Sequence, residues 1–262
     1  MPSELDLTHF SIHILDRIIN CVVPTGFLLH DVFTLHKISQ TPDAILHLKK
    51  TNDPLQADIK RKDGIITLNV SGEDAFNMNL FRSYIGLLVH YLTKAIFIHG
   101  CGIYSIVKNS GILILGKKKS GKTTISDKIQ LSYIIDDDQM LLFENKLIGI
   151  GKKSAHTEEL KKGQNVVYEK AGYRQTNLGI IFVLMKDLEG GTFKKIDSKS
   201  ILTDLSLVWH HNLYTFEIPK DYCKDKQIPN VPAYFIGTNE NKHKTIELLN
   251  ELIKSQLVSH RE

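Results

Sequence analysis

Apolar residues recur along this chain at two different periods, and the change from one to the other divides it. In the first 75 residues they come in short stretches at strand spacing, Phe10 to Ile14, Ala44 to Leu48 and Ile65 to Val70. Polar turns lie between them at Pro24-Thr25-Gly26, Thr51 to Pro54 and Lys62-Asp63-Gly64, so residues 1–78 read as a small β-rich module. From Asn79 to Thr93 the spacing changes to three and four, with Leu80, Tyr84, Leu87, Leu88 and Tyr91 on one stripe. That period predicts a helix with one buried face and a domain boundary near residue 78.

Residues 79–262 then alternate between the two patterns. Ala95 to Ile98 and Gly111 to Leu115 are apolar, and the polar turn Lys108-Asn109-Ser110 between them is suited to closing a hairpin. A helix is predicted from Lys122 to about Gln130, then a strand at Tyr133 to Ile135 that ends in three aspartates. Strand, loop, helix and strand in that order open an α/β unit. Further on, Leu178 to Leu184 and Val231 to Ile236 read as buried strands and Lys242 to Gln256 as an amphipathic closing helix.

Composition narrows the classes. Apolar residues are 42% and charged residues 24% of 262, which suits a globular chain and excludes disorder and fibres. The longest apolar run, Leu178 to Met185, is eight residues, against the roughly 20 a transmembrane helix needs. The opening MPSELDLTHF has no basic segment followed by an apolar one, so no secretory signal is expected and a cytoplasmic location is. Cys21, Cys101 and Cys223 are odd in number and far apart, the pattern of reduced thiols, not of a disulfide framework or zinc site. A net charge of +4 is compatible with an anionic ligand but well short of a nucleic-acid-coating protein.

The strongest chemical signal is Gly116-Lys117-Lys118-Lys119-Ser120-Gly121-Lys122-Thr123. It fits G-x-x-x-x-G-K-[ST], with a strand pattern before it and a helix pattern after. Backbone N–H groups must curl round phosphate oxygens in such a loop, which calls for glycine where a Cβ would block the turn or the approach. Lys122 supplies charge to the β and γ phosphates, and Thr123 a hydroxyl to Mg²⁺. The expected nucleotide-binding residues are Gly116, Lys117, Lys118, Lys119, Ser120, Gly121, Lys122, Thr123 and Thr124. For Lys117, Lys118 and Lys119, a solvated face and extra phosphate contacts stand as equal readings.

Asp136, Asp137 and Asp138 follow about 13 residues after Lys122. Three neighbouring carboxylates in a partly desolvated site call for a cation beside them. Mg²⁺ on one of them would leave another to take the proton of an attacking hydroxyl; an acidic turn in water is the bland alternative.

Ile98-His99-Gly100 before one strand, the phosphate loop after the next and the paired aspartates after the following one resemble the catalytic domain of HPr kinase/phosphorylase. That fold is shared with phosphoenolpyruvate carboxykinase. The resemblance is best over residues 95–143 and extends loosely back to about residue 10, towards the short stand-alone HPr-kinase-like proteins. It implies an α/β phosphate-loop fold with a mixed β-sheet behind the N-terminal β-rich module. It also implies that His99 lies near the phosphates, that Asp137 activates the acceptor hydroxyl and that Asp138, with Thr123, lies nearer the metal. With three aspartates in a row the register is ambiguous by one, so Asp136 and Asp137 are the other pairing. Departures are present: no Glu-Ile-Arg-Gly-type stretch occurs between Lys146 and Asn177, and the lysine run replaces small and acidic residues. Reversal by phosphate and HPr as acceptor are therefore not expected.

Among other candidates, Arg174 reads first as a surface arginine and in the alternative as a transition-state cation, Glu158 and Glu159 read as an exposed helix face, and Trp209-His210-His211 reads as structural because adjacent histidines point different ways. The resulting expectation is an ATP- and Mg²⁺-dependent kinase, acting on a serine or threonine of a peptide or protein. A metabolite kinase is the alternative enzyme, and a nucleotide-binding switch or RNA-associated NTPase the alternative from another class. The expected partners are a nucleotide and a hydroxyl-bearing acceptor, not nucleic acid or membrane, with a homo-oligomer compatible with the resemblance.

Overall fold

The computed structural model describes residues 7–24, 35–117, 119–136, 138–150, 175–203, 229–239 and 241–255. Lys118, Asp137, Glu158, Glu159, Arg174, Trp209, His210, His211 and Cys223, all named above, lie outside them, as do Thr25, Gly26 and Gln256.

The first sheet is mixed and five-stranded, in the order β1-β2-β3-β5-β4. Its strands are β1 (Leu7–Ile14), β2 (Arg17–Pro24), β3 (Ala44–Lys49), β4 (Gln56–Lys62) and β5 (Ile65–Ser71). Burial alternates along β3 and β5, as their period-two pattern requires. Two strands escape the sequence reading. β2 forms a hairpin with β1 through Leu15 and Asp16, both at positive φ, the conformation of tight hairpin turns. β4 is polar along its exposed positions and ends in Lys60-Arg61-Lys62; it is an edge strand, where such charge discourages pairing with another chain.

Helix α1 (Met78–Leu92) differs from its prediction in one consequential way. Instead of one buried stripe, every position from Leu80 to His90 is buried, because the helix packs against β2, β3 and β5 on one side and β6 (Ile96–His99) and β10 (Gln139–Phe143) on the other. A helix enclosed in this way must satisfy its polar residues internally. His90 does so with its Nδ1 2.9 Å from the Ala95 carbonyl.

The second sheet follows the path β6-β10-β11-β12-β8-β7-β9, with β14 also on β12 and β13 on β14. The remaining strands are β7 (Cys101–Ser105), β8 (Ser110–Gly116), β9 (Ser132–Asp136), β11 (Lys146–Gly149), β12 (Gln175–Glu189), β13 (Phe193–Ile196) and β14 (Ala233–Asn239). The expected hairpin between residues 95–98 and 111–115 is not formed. An intervening strand, β7, takes the antiparallel place beside β8, and β6 pairs with β10 instead. The chain's fold class is thus mixed α/β with two mixed sheets.

β8 shows why this sheet reads as an apolar run. Leu113 and Leu115 join the large core that extends from Phe10 to Ala233. Ile112 and Ile114 join a second cluster with Ile125, Phe182, Leu249 and Ile253. That second face is covered by α2 (Lys122–Ser126) and α4 (Lys242–Ser255), while a short α3 (Ser198–Thr203) follows β13. Helix α2 stops at Ser126, short of the expected Gln130. Among the described residues no helix is long and apolar enough to cross a membrane. Leu113 is fully buried, so Leu113→Ala is expected to cost about 2–5 kcal/mol in urea unfolding, the range for a core cavity.

Candidate active site

Strand direction brings the predicted residues together. β8 is antiparallel to β7 and β7 to β9, so β8 and β9 run the same way and their C-terminal residues, Gly116 and Asp136, lie at one edge of the sheet. The C-terminal edge of parallel strands is where open α/β sheets commonly bind ligands.

The sheet also folds over at this edge. β6 and β9 are at opposite ends of its hydrogen-bonded path, yet β6 is joined to β7 by Gly100 alone, and β9 to β10 by Asp137 and Asp138. Such short links require the β6-β10-β11 half to lie against the β7-β9 half, and β11 packs on both β7 and β9. The two crossings are side by side, because the Gly100 N–H donates to the Asp138 carbonyl over 3.0 Å. His99 is on one crossing and the aspartates on the other.

The phosphate loop leaves β8 at Gly116, whose φ is +150°. A Cβ here would come 2.5 Å from Ser120 Oγ and 3.1 Å from the Leu184 carbonyl, so both conformation and space favour glycine. Gly121, at φ +95°, precedes α2; a Cβ there would make only an ordinary contact, 3.9 Å from Ile125 Cδ1, so it is the positive φ that favours glycine. Lys122 Nζ donates to the Gly116 carbonyl over 2.7 Å, closing the loop on itself. Burial pushes the Lys122 ammonium below the ordinary lysine range, while Asp138 and then Cys101 pull it back up. Lys117, Lys119 and Thr124 are exposed, and Thr123 is partly exposed. Gly116→Ala should cost about 1–3 kcal/mol in urea unfolding, since the backbone and the Ser120 side chain must both shift to admit the Cβ.

The aspartates are not equivalent. Asp136 is completely buried and forms an ion pair with the buried guanidinium of Arg82 on α1. Its Oδ1 also accepts from the backbone N–H groups of Asp138, at 3.1 Å, and Gln139, at 3.2 Å. The cation called for beside the cluster is therefore, for Asp136, a side chain of the helix. Asp138 is partly exposed and its Oδ1 is 3.0 Å from His99 Nε2. The site thus assembles Lys122, Asp138, His99 and the Gly116 carbonyl in one place, with Cys101 beside them.

This arrangement suits an anion held against a short acidic turn. Ser120 Oγ is buried with no hydrogen-bond partner among the described residues. A phosphate oxygen would supply that partner. The metal side is sparser, because no group of three or more His, Cys, Asp or Glu side chains suited to a metal occurs among the described residues. Thr123 and Asp138 suit Mg²⁺, which takes most of its oxygen ligands from water and phosphates. Arg82 and Cys101 are the members that sequence reasoning did not place. The available signals were a charge inside an apolar helix for the first, and a position two residues after His99 for the second.

No protein-family model and no curated protein sequence matches the chain. Among solved structures it is similar to the HPr(Ser) kinase/phosphatase from Coxiella burnetii, with 16% identity and a TM-score of 0.36, covering 63% of this chain and 99% of that one. A superposition of that quality assigns neither fold family nor activity.

Proposed function

We propose that this chain is a kinase that moves the γ-phosphoryl group of Mg-ATP to a hydroxyl. The observation that supports the reading is that the loop after β8 and the His99–Asp138 pair lie at the same edge of the sheet. The loop's backbone and Lys122 bind the phosphates and hold positive charge where negative charge develops. Thr123 and Asp138 would hold Mg²⁺, which neutralises phosphate charge when bound.

The burial of Asp136 supports one register of the aspartates over the other. Asp136 is sealed in the interior on Arg82 and two backbone amides, which leaves Asp137 and Asp138 as the working pair. Asp137 takes the acceptor hydroxyl's proton as that oxygen bonds to phosphorus, and the γ-phosphorus bond to the bridging oxygen breaks to release ADP. His99, held 3.0 Å from Asp138, would then lie beside the phosphates. A serine or threonine of a peptide or protein is the acceptor we assign, on the family resemblance.

Transfer from γ-labelled ATP into serine and threonine peptides and hydroxyl metabolites tests this. Label is expected in a stable phosphate ester, with Asp137→Asn slower by about 10²–10⁴-fold, the usual contribution of a general base. Label found only in inorganic phosphate with every acceptor, or full activity in Asp137→Asn, would overturn it.

A further inference from the structure

Arg82 is 54 residues before Asp136 and belongs to no motif, yet two hydrogen bonds to described residues fix its guanidinium behind the aspartate turn. Its Nε donates to the Ile150 carbonyl over 2.7 Å, just beyond β11, and its terminal nitrogen binds Asp136 Oδ2. Asp136 Oδ1 is thereby turned towards the Asp138 and Gln139 amides. The same turn is tied back to α1, because Gln139 Nε2 donates to Ser83 Oγ over 2.8 Å.

A buried ion pair is a poor device for stability alone, since apolar side chains of similar volume usually serve as well or better. This one also does something an apolar pair cannot: it supplies the acceptor that fixes backbone 138–139, on which the Asp138 side chain meets His99. We propose that Arg82 is a positioning residue that holds Asp138 in register with His99 and the phosphate loop, acting through Asp136. Without it, Asp136 loses its orientation, the two amides lose their acceptor and the Asp138 carboxylate moves off the imidazole. The inference rests on the kinase reading for its catalytic consequence, but not for its geometry.

The test replaces the pair by apolar residues, Arg82→Met with Asp136→Leu, which removes the acceptor without stranding a charge. In protein with ¹⁵N-labelled histidine, the imidazole signal of His99 is followed with and without Asp138→Asn. That substitution should shift the His99 signal strongly in the wild type and by less than about one fifth as much in the apolar-pair background, because side chains that no longer touch lose their coupling. Phosphoryl transfer in the apolar-pair protein should fall by about 100-fold in kcat with KM for ATP little changed, the scale of a misplacement of about 1 Å. An equal His99 response in both backgrounds overturns the proposal.

If the apolar pair does not fold, Arg82→Lys serves. A lysine cannot reach both acceptors with Arg's rigid fork, and the same cycle should show the His99 response reduced; an undiminished response there overturns the proposal too. The imidazole signal needs no turnover, so a wild type that phosphorylates nothing would refute the kinase reading while the positioning of Asp138 is still decided.

Discussion

Lys122→Ala is expected to lower phosphoryl transfer by about 10²–10³-fold, the cost of removing one preorganised charge from a transition state, while leaving the fold intact. Lys122 is partly exposed at the loop, and its one described hydrogen bond goes to the Gly116 carbonyl. Its loss therefore removes charge from the site without opening the core. The pH dependence has a definite sign. Burial lowers the Lys122 pKa, with Asp138 and Cys101 opposing. The ammonium is the working form, so kcat/KM should decline as pH rises through that lowered pKa, earlier than an ordinary lysine would allow, and Lys122→Ala should lack that alkaline limb. Steady-state rates across pH on both proteins check this.

Arg82→Met alone carries the largest expected effect on stability. It leaves the Asp136 carboxylate at zero exposure without its guanidinium, and breaking a buried pair by removing one partner costs about 3–5 kcal/mol. Against a total of about 5–15 kcal/mol for a folded chain, that is enough to shift a urea midpoint substantially. The companion substitution Asp136→Leu should recover most of the loss, because the stranded charge is then gone. Equilibrium urea unfolding of the single and double variants reads both numbers. A single variant within about 1 kcal/mol of the wild type would mean that Asp136 finds another partner or reaches water.

These two residues mark how far the sequence can be read. The strand–turn–helix at residues 110–126 was legible because its signals are local: an apolar run, two glycines at fixed spacing and a helical pattern after them. Strands β3, β5, β8 and β12 were legible because burial on one face, or on both, imposes a period or an apolar run. β7 was not, because Cys101 to Ser105 is short and half of its character is set by neighbours from β8 and β9. β4 was hidden by its charge. The packing of the sheet's two halves against each other is non-local and has no periodic trace, so the juxtaposition of His99 with Asp138 could be inferred only by resemblance. Arg82 was hardest. It falls off the Leu80-Tyr84-Leu87 stripe and so would be assigned to a solvated face, whereas α1 is enclosed by both sheets and has no such face.

The claim that underlies the rest is that residues 116–124 hold the phosphates of a nucleotide beside His99 and Asp138. Calorimetric titration of ATP, ADP and adenosine, each with Mg²⁺, tests it most directly. Saturable one-to-one binding of ATP and ADP is expected, weaker by at least about tenfold in Lys122→Ala, with no measurable binding of adenosine, which has no phosphate to offer the loop. Adenosine binding as tightly as ATP, or ATP binding unchanged in Lys122→Ala, would contradict it.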